Sequence, residues 1–159
     1  MIRIDVANRQ RILRINRKRL ATAVQRALEL AGLERAEVSI AIVDNATIAQ
    51  LHGQYLGDPT PTDVLSFVLE CGPAGIEGEV IVSAETASDC AARFGWSPAD
   101  ELLLYAVHGT LHLAGYRDAT ADQRNIMRRQ ERAVLKHFNL RPCYRARAAI
   151  RAGGPALRK

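Results

Sequence analysis

A chain of 159 residues, 48% hydrophobic and 25% charged, has the make-up of one soluble globular domain with a single core. Cys71, Cys90 and Cys143 are odd in number and widely spaced, which excludes a C-x-x-C metal site and a disulfide framework. The formal charge is +5, but Arg141, Arg145, Arg147, Arg151, Arg158 and Lys159 stand in the last 19 residues with no acid; without those six, 16 bases face 17 acids.

Ile2, Ile4 and Val6 alternate with Arg3 and Asp5, the pattern of a half-buried strand. From Asn16, a capping residue, Leu20, Val24, Leu28 and Ala31 recur at helical spacing up to Gly32. Val38–Val43 is a second strand. Asp44 or Asn45 then caps a helix with Ile48, Leu51 and Tyr55 on one face and a lone histidine, His52, within it. Residues 57–61, with two prolines, form a loop. A third strand covers 62–69 and a fourth 79–83, joined by a Gly72–Gly75 turn through which they can pair. A helix follows over 84–93, stopped by Gly95. Ser97-Pro98-Ala99-Asp100 starts another, which runs to Ala114 and is apolar nearly all round, so it belongs in the middle of the fold. Thr120 and Gln123 form a second capping box, opening a last helix with Ile126, Gln130, Val134 and His137 on one face, extended by Met127 and Ala133. Four strands and five helices without strict alternation predict an α+β fold: one domain over 1–140 with a small mixed sheet, then a basic, disordered tail over 141–159.

The motif that carries chemistry is His108-Gly-Thr-Leu-His112-Leu-Ala-Gly115-Tyr-Arg-Asp118. Residues four apart share a helix face, so both imidazoles point the same way. Gly115 can end the helix, and Asp118 can then swing back toward the rings. His108, His112 and Asp118 make a three-ligand set with an open position, the arrangement of catalytic zinc, one ion per chain. The plainer reading is two core histidines bonded to backbone and a turn aspartate. A zinc peptidase of the H-E-x-x-H kind needs a glutamate after the first histidine; here that slot is Gly109, which removes the proton acceptor. Glycine costs roughly 1 kcal/mol in a helix interior, and close approach of a neighbouring element accounts for it.

Two stretches together, residues 61–67 (PTDVLSF) and 108–116 (HGTLHLAGY), resemble the signatures of the YbeY family; residues 78–83 (GEVIVS) and Met127 fit the same pattern. The resemblance spans residues 2–138. It implies an α+β fold, one zinc ion in a cleft, and a single-strand-specific endoribonuclease. Its expected roles are rRNA maturation at the small-subunit 3′ end and ribosome quality control. The implied partners are single-stranded RNA, rRNA, and the ribosomal small subunit or assembly proteins. Asp63 and Ser66 would line the cleft. This chain departs from the pattern at three places. Asp118 stands where the family usually has a third histidine, Leu56 where it usually has an arginine, and His52 where asparagine is common.

The expected chemistry is metal-assisted phosphodiester hydrolysis, with the catalytic base left unnamed and Arg117 a phosphate contact. The alternative is a non-catalytic ribosome assembly factor whose metal is structural. MIRIDVANRQ lacks the apolar run of a signal peptide, and Leu102–Val107 is far too short to span a bilayer, so the expected location is cytoplasmic, with no membrane partner.

Overall fold

The computed structural model describes residues 1–144. All but four residues of the expected tail, 145–159, lie outside the described residues. Among the described residues, four strands and five helices follow in the order β1 (Ile2–Asn8), α1 (Arg17–Leu30), β2 (Ala36–Val43), α2 (Asn45–Leu56), β3 (Val64–Gly72), β4 (Gly75–Ser83), α3 (Ala84–Phe94), α4 (Pro98–Leu113) and α5 (Ala121–Lys136). The expected α+β class holds.

The sheet order is β1-β2-β4-β3. β1 runs parallel to β2 and β2 parallel to β4, while β3 is antiparallel to β4. The expected pairing of the third and fourth strands is present, and both are longer than the sequence patterns suggested. Strand alternation splits the sheet into two faces. Val38, Ile40, Val80, Val82 and Val64 join the main core beneath α1, α4 and α5. Val43, Leu65 and Ile81 form a smaller cluster with Ile48 of α2 on the other face.

Helix starts follow their side-chain caps. Asn16, Asp44, Ser83, Ser97 and Thr120 each accept a hydrogen bond from a first-turn backbone N–H. Thr120 and Gln123 complete the expected reciprocal box. α4 is buried on nearly every side from Glu101 to Leu113, as its apolar sequence required.

Two helix faces differ from expectation. On α5 the buried residues are Met127, Glu131, Val134 and Leu135; Ile126, Ala133 and His137 are exposed. The face is rotated because a buried glutamate sits where a polar residue signals solvent. On α2 the buried pair is Ile48 and His52, and Tyr55 is exposed with its ring against Phe67. His52 is a core residue whose Nδ1 bonds the Thr60 carbonyl at 2.8 Å, tying down the proline loop.

Candidate metal centre

Gly109 explains how α4 reaches its position. A Cβ there would lie 2.6 Å from Val80 Cγ1, 2.7 Å from Val64 Cγ2 and 3.0 Å from Ser66 Oγ. The helix therefore rests directly on β3 and β4, the close approach inferred from the sequence. Ser66 donates its hydroxyl proton to the Gly109 carbonyl at 2.9 Å. The Asp63 carboxylate is buried and accepts from the Val64 N–H at 2.9 Å. Both side chains thus contribute to locking β3.

The chain turns back where expected. Gly115 has a φ of 98°, and the N–H groups of Gly115 and Tyr116 bond the carbonyls of His112 and Leu111, each at 3.0 Å. This turn delivers Asp118 to the histidines. Arg124 of α5 secures the returning loop, donating to the carbonyls of Asp118 and Ala119 at 3.3 and 3.0 Å.

His108 Nε2 and His112 Nε2 lie 2.9 Å apart, and Asp118 Oδ2 is 3.3 Å from the first and 3.4 Å from the second. Ligands about 2.0–2.1 Å from a tetrahedral ion would be about 3.3–3.4 Å apart, the spacing of both Asp118 contacts, with the two nitrogens somewhat closer. Among the described residues these three alone form a group able to hold a metal ion. The structure thus brings together all three residues of the expected set, and the Asp118 side chain is only 25% exposed.

The far side of each ring supports the same use. His108 Nδ1 bonds Glu131 Oε1 at 2.5 Å, and His112 Nδ1 bonds the Tyr116 carbonyl at 2.9 Å. Both partners accept, so each Nδ1 carries a proton, and it is the Nε2 of each ring that is left to face inward as a ligand. Two lone pairs and a carboxylate oxygen at these distances repel one another unless a proton or a metal cation lies among them. The donor set therefore fits a divalent metal, and the outer partners fix ring orientation as they do in metal sites generally.

Glu131 carried no signal in the sequence. Its one available mark was spacing: it stands four residues after the buried Met127 on α5. Arg117 is exposed, one residue before Asp118. Leu56 ends α2 with 61% exposure, and the last turn of that helix has no basic residue.

Where the Nε2 atoms carry protons instead of facing a metal, hydrogen bonds from His108 and then His112 hold the Asp118 carboxyl well below the usual carboxylate range. That preference for the charged form favours the fold above the ordinary carboxylate range and is lost only as pH falls through its lowered value. Protons and a cation compete for the same nitrogen atoms. Metal content, measured by equilibrium dialysis across a pH series, is therefore expected to fall with acid.

An α+β domain with two imidazoles and a carboxylate converging on one point defines a single-domain protein with a candidate three-ligand metal centre. The family model described as Endoribonuclease YbeY matches residues 5–139. The chain belongs to the YbeY family. It is 43% identical over 122 residues to the Endoribonuclease YbeY of Rhodopirellula baltica, covering 76% of this chain and 63% of that one. To that of Pelotomaculum thermopropionicum it is 43% identical over 129 residues, covering 76% and 85%. The solution structure of TM1509 from Thermotoga maritima superposes with a TM-score of 0.57 at 25% identity, covering 87% of this chain and 92% of that one.

Proposed function

We propose that the protein is a zinc-dependent endoribonuclease that cuts single-stranded RNA. Its place is rRNA maturation, at the small-subunit 3′ end, and ribosome quality control in the cytoplasm. Its partners there are the ribosomal small subunit or assembly proteins. The observation that carries the reading is the convergence of His108, His112 and Asp118 with no fourth side chain joining them among the described residues. Three protein ligands with one position open distinguish a catalytic from a structural zinc site. Family membership directs that site toward RNA.

Zinc, when bound, supplies Lewis acidity toward a phosphoryl oxygen and toward water. The chain's own residues do the rest. His108 and His112 present neutral nitrogens because Glu131 and the Tyr116 carbonyl hold their outer protons. Asp118 adds a negative charge, which makes the centre a weaker acid than three imidazoles would. Cations for the substrate's phosphates come from Arg117 and from α5, where Arg124, Arg128, Arg132 and Lys136 recur every four residues. Such a row of like charges costs helix stability, and a polyanion offsets that cost. Arg124 is anchored on the loop that carries Asp118, which places the head of this row beside the triad.

Leu56 favours a second reading, an assembly factor with a structural metal, because α2 offers no cation where the family usually has one. Incubation with single-stranded rRNA fragments, with and without chelator, separates the two. Cuts that vanish with chelator and return with zinc are expected; intact RNA under every metal tried would overturn the enzyme reading. No described helix is long and apolar enough to cross a membrane.

A further inference from the structure

Glu131 is 2% exposed, so its carboxylate has left water and must be oriented by neighbours. Oε1 accepts from His108 Nδ1, and Oε2 accepts from the Tyr144 hydroxyl. Tyr144 is itself held in place. The guanidinium carbons of Arg128 and Arg132 lie 5.0 and 4.9 Å from its ring centroid, inside cation–π range. Those two arginines are four residues apart on α5 and flank Glu131 in sequence. The ring that both guanidinium groups approach also aims its hydroxyl at the buried acid.

We infer that Tyr144 is a positioning residue of the metal centre, fixing the plane of the Glu131 carboxylate so that Oε1 stays aimed at His108. Tyr144 lies eight residues past the end of α5 and five past the last residue matched by the family model. The chain beyond the family domain therefore completes the outer support of its metal site. The physical reason is rotational freedom. A carboxylate gripped at one oxygen can swing about its last side-chain torsion, which is broad. Gripped at both, it holds the imidazole's tilt, and with it the direction of the Nε2 lone pair.

The inference rests on the metal-centre reading, and its test separates the two. Tyr144→Phe keeps the ring that both arginines approach and removes only the hydroxyl. Zinc affinity of the full chain is measured by competition with a chromophoric chelator, and the visible spectrum of the cobalt(II)-loaded protein reports ligand geometry. Tyr144→Phe is expected to weaken zinc by about 3- to 10-fold, below the roughly 10- to 100-fold typical of a direct outer partner. It should change the cobalt bands, with only a modest fall in the melting temperature of the metal-free protein from the hydrogen bond lost at the buried carboxylate. In a Glu131→Gln background the same change should have no further effect on affinity, because Tyr144 acts through that carboxylate. Unaltered affinity and spectrum in Tyr144→Phe would overturn the inference while leaving the metal centre intact. An equal loss in both backgrounds would overturn it too. A wild-type chain that takes up neither metal would remove the metal-centre reading and this inference together.

Discussion

Alanine in place of His112 is expected to abolish metal uptake while leaving the domain folded. His112 Nε2 is one of three donor atoms, 2.9 Å from His108 Nε2 and 3.4 Å from Asp118 Oδ2. Its loss leaves one imidazole and one carboxylate, too few to compete with water for zinc. The side chain is 20% exposed and lies at the rim of the core, so the cavity left behind is open to water and costs little. Metal analysis after dialysis should fall from about one zinc per chain to near zero. The wild-type chain should gain about 4 kcal/mol of stability at a thousandfold excess of zinc over its dissociation constant, and the variant none. A variant that still carried stoichiometric zinc would place the ion elsewhere and remove the basis of the proposed chemistry.

Gly109→Ala is expected to be the most damaging single methyl that can be added to α4. The new carbon would meet Val80, Val64 and Ser66 at 3.0 Å or less, on two neighbouring strands at once. Neither strand can retreat. β4 is paired on both sides, and β3 carries the Ser66 bond to the Gly109 carbonyl. The helix must lift instead, at an overpacking cost near the upper end of about 1–3 kcal/mol. Alanine's better helix propensity returns about 1 kcal/mol. The net loss of about 2 kcal/mol should lower the melting temperature by roughly 4–8 °C. Affinity for zinc should change less than stability, because both histidines ride on the same helix and the Gly115 turn moves with them. An unchanged melting temperature would show that α4 does not rest on the sheet as described.

The same residue shows what sequence reasoning reaches and where it stops. A glycine inside an apolar helix signalled close approach, yet nothing in the sequence said that Val64, Val80 and Ser66 were the atoms approached. Ser66 and Asp63 were expected to line the cleft. The structure shows a hydroxyl bonded to Gly109 and a carboxylate bonded to the N–H of Val64. His52, which departs from the family pattern, holds the loop that carries both prolines. Glu131 was invisible because a buried acid and an exposed one are the same letter. That letter also shifted the expected buried face of α5 toward Ile126, which is exposed.

What the sequence determined by itself was local. Caps at Asn16, Asp44, Ser97 and Thr120, the four-residue spacing of His108 and His112, and the stop at Gly115 depend on hydrogen bonds and torsions within a few residues of each other. They fixed the helices, the strands and the two-histidine face. Tertiary structure decided everything that joins distant segments: the order β1-β2-β4-β3, the return of Asp118 to 3.3–3.4 Å from both rings, and the line from His108 through Glu131 to Tyr144. The reason is that burial and close contact are set by which faces meet, and no residue's own chemistry states which distant partner it will be pressed against.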